Sequence, residues 1–189
     1  MECGGKRKII LCSIINYFII LKNCRLAGLP DLKQENQFVH DTLVSWIQNL
    51  VAKYSFDGVR IDTAPEVPKT FWKDFVAAAG VFTIGEVFDG RVSYVSEYQN
   101  YLDATLNYPL YEQLKNVFAN GNGMNTLESF FTSMSVFKDQ SVLGAFADNH
   151  DNGRFLSIKN DYVLFKSYLT FNLGTRNFFF SLSLINSFD

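Results

Sequence analysis

Apolar positions along the chain follow two different patterns. In residues 39–54 they recur every three or four residues, and in residues 67–76 they do so again, which predicts two amphipathic helices. Gly80 follows the second helix and suits a position just past a helix end. The same spacing predicts helices near residues 111–118, 125–137 and 161–173, with Asn125 and Glu128 as a capping pair at the start of one of them.

Short apolar runs lie between these helices and predict strands. They cover residues 56–62, 81–87, 102–106 and 142–147. The run at 81–87 is apolar on both faces, as is typical of a strand in a parallel sheet. Strands that alternate with helices predict an α/β fold with a parallel sheet.

Three of the predicted strands end in acidic residues. Arg60 and Asp62 are two positions apart, so in a strand they share a face, where the guanidinium can hold the carboxylate ionised. Taken alone, this pair is more readily interpreted as a structural ion pair. However, Glu86 ends the second run and the sequence Asn149-His150-Asp151 follows the last run. Because parallel strands end at one edge of a sheet, the combination predicts an active site there.

Composition narrows the class of protein. The chain has 189 residues, 48% of them hydrophobic, and a mean hydropathy of +0.02, which excludes a disordered chain and allows one domain with a sizeable core. The net charge of −2 gives no reason to expect a nucleic-acid partner. No stretch reaches the roughly 18 apolar residues of a membrane span, so no membrane partner is expected.

The N-terminal part of the sequence has two interpretations. Lys6-Arg7-Lys8 precedes an apolar run at residues 9–21, which has the shape of a signal peptide, although no A-x-A-like cleavage site follows. A strand or hairpin in the mature protein fits equally well. Cys12 and Cys24 lie twelve residues apart and can close a small loop, which leaves Cys3 over; the sequence alone does not establish a pair.

The available side chains favour chemistry by carboxylates. There are only two histidines, and no G-x-S-x-G, Walker A or G-x-G-x-x-G motif is present. One ionised and one protonated carboxylate are what glycoside hydrolysis requires. Asp62, beside Arg60, is expected to stay ionised. Glu86 ends an apolar run, and its pKa is expected to be raised by burial.

The motifs resemble a known family. Residues 56–67 (FDGVRIDTAPEV), 85–89 (GEVFD) and 146–154 (FADNHDNGR) are similar to three blocks of the α-amylase family, glycoside hydrolase family 13. Residues 29–32 (LPDL) resemble a fourth block, and residues 106–111 (LNYPLY) resemble a stretch of the fungal-type α-amylases. The resemblance implies a partial (β/α)8 TIM barrel, roughly strands four to seven with their helices, preceded by a remnant of the family's small inserted domain.

The resemblance also implies roles for individual residues. Asp62 would be the nucleophile, Glu86 the general acid and then base, and Asp151 the carboxylate that stabilises the transition state. Of the two substrate-binding residues, Arg60 would orient Asp62, and His150 would donate a hydrogen bond to the sugar. The implied activity is a retaining hydrolase of α-1,4-glucosidic bonds in starch or glycogen, and the implied partner is an α-glucan bound by a monomer. The alternatives are another enzyme of the family, an α-glucosidase or glucanotransferase, or a non-catalytic product.

Parts of the family pattern are not recognised. The block on the third barrel strand is absent, and the pattern stops after residue 175, so strands one to three and eight are not identified; such barrels have about 250 residues. We therefore expect a remnant of the inserted domain at 1–35, a partial barrel at 36–175 and an aberrant tail at 176–189. Activity of this chain is expected to be impaired.

The family's calcium site is expected to be incomplete. Asp31 matches one family ligand and Glu66 stands where a backbone carbonyl binds, but Lys22 occupies the place of an acid. Ca²⁺ needs six to eight oxygen ligands. The resemblance also implies a disulfide between Cys12 and Cys24, which weakens the signal-peptide interpretation and implies a secreted protein or another oxidising compartment.

Overall fold

The computed structural model describes residues 31–175 and the strand Phe178–Phe179. The helices of this part are α1 Gln37–Tyr54, α2 Lys69–Ala79, α3 Val92–Ser96, α4 Tyr108–Phe118, α5 Thr126–Ser133, α6 Phe155–Ile158 and α7 Tyr162–Gly174. The strands are β1 Gly58–Ile61, β2 Phe82–Gly85, β3 Ala104–Thr105, β4 Gly144–Ala145 and β5 Phe178–Phe179. Short 3₁₀ turns occupy Ala64–Glu66, Glu97–Asn100 and Met134–Val136.

The strands form a parallel arc in chain order. β1 pairs with β2 and β2 with β3, while β4 pairs with β5, all in parallel. A single parallel bridge from Leu106 to Gly144 joins β3 to β4. This arrangement confirms the predicted α/β fold with a parallel sheet.

Two details differ from the sequence-based expectation. No strand is recognised after residue 175 from the sequence, whereas Phe178–Phe179 pairs with β4 in the segment expected to be an aberrant tail. A run of phenylalanines has no period that identifies a strand, so only the pairing reveals it. The predicted Asn125 cap is wrong, because its side chain accepts no capping hydrogen bond; the Thr126 amide donates to the Gly123 carbonyl instead.

The longer helices begin and end as their sequences dictate. The Asn36 side chain accepts hydrogen bonds from the amides of Phe38 and Val39 at the start of α1. The Asp161 side chain accepts from the amides of Val163 and Leu164 at the start of α7. α2 ends at Gly80, which has φ = 63°, a conformation that glycine adopts without steric cost. The prediction for Gly80 is confirmed.

The core lies on both sides of the arc. One cluster packs α1 and α2 against β1 and includes Ile47, Phe71, Trp72 and Phe75. Another includes Leu114 of α4, Phe155 of α6 and Tyr168 of α7. A third cluster is formed by side chains at and just after the strands, Ile84, Ala104, Leu106, Tyr108, Tyr111 and Phe146. It contains Tyr108, through which the core reaches the candidate site.

Some predictions fall outside the described residues. Cys12 and Cys24, the apolar run at 9–21 and most of the expected inserted-domain remnant lie there. The disulfide and the two interpretations of the N-terminal part stay predictions. In the part of the chain that the structure describes, no helix is both long and apolar enough to cross a membrane.

Candidate active site

Asp62 and Glu86 lie side by side because their strands are paired in register. Ile61 pairs with Gly85, and each acid is the next residue along its strand. Two backbone hydrogen bonds continue the ladder past the strand ends: the Glu86 amide donates to the Ile61 carbonyl at 2.8 Å, and the Ala64 amide donates to the Glu86 carbonyl at 3.0 Å. The predicted meeting of acids at one edge of the sheet is therefore present for these two.

Arg60 lies between the two carboxyl groups. Its Nη1 donates to Asp62 Oδ1 at 2.6 Å, as expected for residues on one face of a strand. Its Nη2 lies 3.2 Å from Glu86 Oε1. The guanidinium side chain is about one-quarter exposed (24%), so the ion pair with the buried acid is only partly screened by water. One cation thus holds both acids in place.

The two acids differ in burial and in ionisation. The Glu86 side chain is only 6% exposed, whereas that of Asp62 is 69% exposed. Burial, and after it the hydrogen bond with Asp62, raises the pKa of Glu86, as the sequence predicts. The hydrogen bond from Glu86, together with Arg60, holds the pKa of Asp62 below its usual value. Of the two neighbouring acids, Glu86 therefore keeps its proton to higher pH than Asp62 does.

The loop after β4 brings His150 and Asp151 to the same region. His150 Nε2 lies 3.1 Å from Asp151 Oδ2, and both side chains are accessible to solvent. His150 also contributes to the lowered pKa of Asp62, so this loop faces the first two strands. All five predicted catalytic or substrate-binding residues are thus in one neighbourhood.

Two buried polar residues connect this loop to Glu86, and the sequence assigns neither a role. The Tyr108 hydroxyl donates to Glu86 Oε1 at 3.1 Å, and Asn149 Nδ2 donates to the Tyr108 hydroxyl at 2.9 Å. The exposed ring of Phe88 packs on Tyr108, with 4.6 Å between ring centroids. Tyr108 lies in residues 106–111 and Asn149 in residues 146–154, two of the stretches that resemble the family. That position is the one sequence signal that could have identified them.

Thr63 follows Asp62 in a strained conformation. Its φ and ψ are both 44°, in the left-handed region that β-branched residues rarely adopt. In this conformation its amide donates to Glu86 Oε2 at 3.3 Å, and its side chain is exposed. The strain therefore serves to aim a hydrogen-bond donor at the buried acid.

Relief of this strain should stabilise the fold. We expect Thr63→Asn to raise the free energy of unfolding by about 1 kcal/mol, because asparagine tolerates the left-handed region. Urea unfolding followed by circular dichroism measures the change. Thr63→Val keeps the β-branch and is expected to give no gain; an equal gain in both variants would contradict the explanation.

Asp31 and Glu66, the predicted calcium ligands, lie near each other. Burial first, and the charge of Asp31 second, raises the pKa of Glu66. Glu66 Oε2 is buried and has no hydrogen-bond partner among the described residues. However, no group of three or more acidic, histidine or cysteine side chains suited to a metal occurs in that part of the chain. These two residues do not by themselves provide the oxygens that Ca²⁺ requires.

The chain is similar in sequence to known α-amylases. The family model for the α-amylase catalytic domain matches residues 16–177. Alpha-amylase 2 of Schwanniomyces occidentalis is 41% identical over 149 residues, which are 78% of this chain and 29% of that protein. The alpha-amylase of Saccharomycopsis fibuligera is 40% identical over 149 residues, 78% and 30% of the two chains.

The chain is also similar to a solved structure of an α-amylase. An alpha-amylase from Malbranchea cinnamomea matches with a TM-score of 0.83 and 36% identity, covering 89% of this chain and 37% of that one. The chain therefore spans about a third of the length of the relatives that it matches.

Proposed function

The chain belongs to the α-amylase family of glycoside hydrolases, and from this membership and the site geometry we propose that it cleaves α-1,4-glucosidic bonds of starch or glycogen with retention of configuration. The observation that carries the proposal is the pair formed by Asp62 and Glu86 around Arg60. The pKa of Glu86 is raised and that of Asp62 is lowered, which is the difference that the two roles in glycoside hydrolysis require.

The proposed mechanism has two steps. Asp62 attacks the anomeric carbon while Glu86 gives its proton to the departing glycosidic oxygen, which leaves a covalent glycosyl-enzyme intermediate. Glu86, now ionised, takes a proton from water, and the resulting hydroxide releases the sugar from Asp62. Asp151 and His150 hold the sugar hydroxyls as the positive charge develops on the ring.

Retention is favoured over inversion by the closeness of the two acids. Inverting enzymes hold their carboxyl groups about 6.5–9.5 Å apart to admit a water, whereas retaining enzymes hold them about 5–5.5 Å apart. Here Arg60 lies 2.6 Å from an oxygen of Asp62 and 3.2 Å from an oxygen of Glu86. Because one guanidinium reaches both carboxyl groups, we propose Asp62 as a nucleophile rather than a base.

The first test is starch hydrolysis by the purified 189-residue chain. Proton NMR during the first turnovers is expected to show α-anomeric reducing ends, and Glu86→Gln controls for contaminating amylase. Initial β-anomers would contradict retention. Glucose alone as product would favour an α-glucosidase, and cyclic or lengthened glucans would favour a glucanotransferase. A soluble chain that melts cooperatively, binds starch and releases no sugar would favour a non-catalytic protein.

The dependence of the rate on pH follows from the two pKa shifts. Activity requires ionised Asp62, so kcat/KM should fall on the acid side only below the ordinary aspartate value of about 3.9. Activity also requires protonated Glu86, so the fall on the basic side should occur above the ordinary glutamate value of about 4.3. Initial rates across pH measure both limbs. A basic limb at or below the ordinary glutamate value would contradict the assignment.

Two further features are proposed. The calcium site of the family is incomplete in this chain, because Asp31 and Glu66 do not by themselves supply the oxygens that Ca²⁺ requires. Secretion rests on the predicted Cys12–Cys24 disulfide. Thermal denaturation with and without a chelator tests the first, and thiol titration of the unfolded chain, before and after reduction, tests the second.

A further inference from the structure

A chain of buried hydrogen bonds runs from the loop that carries Asp151 to Glu86. Asn149, Tyr108 and Glu86 are respectively 2%, 1% and 4% exposed. The Asp151 amide donates to Asn149 Oδ1 at 3.0 Å, Asn149 Nδ2 donates to the Tyr108 hydroxyl at 2.9 Å, and that hydroxyl donates to Glu86 Oε1 at 3.1 Å. The proposed mechanism uses the two acids at its ends and gives no task to the two residues between them.

The donor and the acceptor of each of these hydrogen bonds are fixed. A backbone amide can only donate, so Asn149 must turn its oxygen toward Asp151, and Asn152 Nδ2 donates to the same oxygen at 2.7 Å. The Asn149 amide nitrogen therefore faces Tyr108. Because the tyrosine oxygen accepts there, its single hydrogen points to Glu86.

This direction determines where the proton of Glu86 resides. Oε1 receives the Tyr108 hydroxyl at 3.1 Å and has the Arg60 guanidinium at 3.2 Å. Oε2 receives a longer hydrogen bond, from the Thr63 amide at 3.3 Å. Protonation of Oε1 would place its proton against the Tyr108 donor and beside the positive charge of Arg60, so the proton belongs on Oε2.

We propose that Tyr108, oriented by Asn149, is a positioning residue that keeps Oε1 of Glu86 as a hydrogen-bond acceptor and so reserves Oε2 for the transferable proton. The inference rests on the proposed function of Glu86 as acid and then base. The Tyr108 hydroxyl also stabilises the ionised carboxylate that must accept a proton from water in the second step. Tyr108 thus balances the burial that keeps Glu86 protonated in the first step.

The groups around Glu86 determine how removal of the Tyr108 hydroxyl should change the pKa of Glu86. Asp62 and burial favour the protonated form, while Arg60, the Thr63 amide and Tyr108 favour the ionised form. Tyr108→Phe removes one donor to a buried carboxylate, so we expect the pKa of Glu86 to rise by about one unit. Carbon-13 NMR of the labelled Glu86 carboxyl in the 189-residue chain measures it.

Tyr111→Phe is the matched control. Tyr111 belongs to the same helix and the same aromatic cluster, with its ring 6.2 Å from that of Tyr108, and is also buried. It donates no hydrogen bond to Glu86 among the described residues. The pKa of Glu86 is expected to stay within about 0.2 units in this variant. No rise in Tyr108→Phe, or an equal rise in Tyr111→Phe, would overturn the proposal.

A second substitution tests the direction of these hydrogen bonds and keeps Tyr108 in place. In Asn149→Asp the new carboxylate accepts the Tyr108 hydrogen, so the hydroxyl turns away from Glu86. The pKa of Glu86 should rise, and it should rise by less when Asn149→Asp is introduced into Tyr108→Phe, where no hydroxyl can turn. Equal rises in both backgrounds would mean that only the added charge acts, and the proposal would fail.

These titrations need no turnover, so they separate this inference from the proposed function. If the chain releases no sugar from starch, the proposed function fails, yet the predicted shift of Glu86 can still be measured. If the chain is active, Tyr108→Phe should move the basic limb of the pH profile upward. It should also lower kcat more than kcat/KM for an aryl maltoside, because release of the intermediate is slowed.

Discussion

Glu86→Gln is expected to lower kcat on starch by about 10²–10⁴-fold, the usual contribution of a positioned general acid and base. Glutamine keeps the size of the side chain, but its single carbonyl oxygen can accept from Tyr108 or from Thr63 and not from both, and it gives no proton to the leaving oxygen. Kinetics of reducing-sugar release measure the loss. With an activated aryl maltoside and added azide, activity should return in part, because azide needs no general base. Failure of azide to restore any activity would favour a structural cause.

The same substitution should stabilise the fold above the acidic range. Burial raises the pKa of Glu86 above its unfolded value, so the stability that the wild-type residue contributes is full below the unfolded pKa and is lost as pH rises through the folded pKa. Glutamine carries no charge and avoids this loss. Urea unfolding at several pH values should therefore show a difference in stability that grows with pH. A difference that shrinks with rising pH would contradict the burial argument.

Trp72→Ala should destabilise the fold by about 3–5 kcal/mol, the usual cost of removing a buried aromatic side chain. Trp72 is 5% exposed and makes edge contacts with Phe71 and Phe75, with ring centroids 5.3 and 5.5 Å away. Its Nε1 donates to the Ala64 carbonyl at 3.1 Å, which would be left without that donor. Against a typical total of about 5–15 kcal/mol, this loss is large.

Trp46→Ala is the matched control for this change. Trp46 is the other tryptophan of the chain, lies on α1 and is 51% exposed. Its removal is expected to alter the free energy of unfolding by less than about 1 kcal/mol. Guanidinium unfolding followed by circular dichroism compares the two without relying on tryptophan fluorescence. Equal destabilisation by both variants would show that burial does not explain the effect of Trp72.

Trp72 also links the core to the site. Ala64, whose carbonyl accepts from the indole, gives its own amide hydrogen to the Glu86 carbonyl and stands two residues after Asp62. Trp72→Phe should therefore keep most of the packing but loosen the turn that follows the nucleophile. The sequence places Trp72 on the apolar face of a helix, and from that position alone only packing can be predicted.

The sequence predicts well those features that depend on neighbouring residues or on a repeating pattern. Arg60 and Asp62 share a face because a strand has a period of two, and Gly80 ends α2 because glycine adopts positive φ. The opposite pKa shifts of Asp62 and Glu86 follow from one neighbouring cation and one apolar run.

What the sequence does not predict depends on contacts between distant residues. Tyr108 meets Glu86 across 22 positions and Asn149 across 41, and no periodicity reports such meetings. In a helix that reads YPLYEQLKNVF, a buried tyrosine resembles any other core aromatic residue. The strand at Phe178–Phe179 is likewise visible only through its pairing with β4.

The single bridge between β3 and β4 has a consequence for how the molecule opens. Elsewhere strands pair over two or more residues, but here Leu106 and Gly144 alone form the ladder, supported by the Asn107 amide donating to the Gly144 carbonyl at 2.8 Å. Asp62 and Glu86 lie on one side of this seam and Asp151 on the other. Opening along the seam would have to break the cluster of Leu114, Phe155 and Tyr168 as well. It would separate the acids without breaking the strand pairs on either side, so we expect the assembled site to be lost before those pairs on heating.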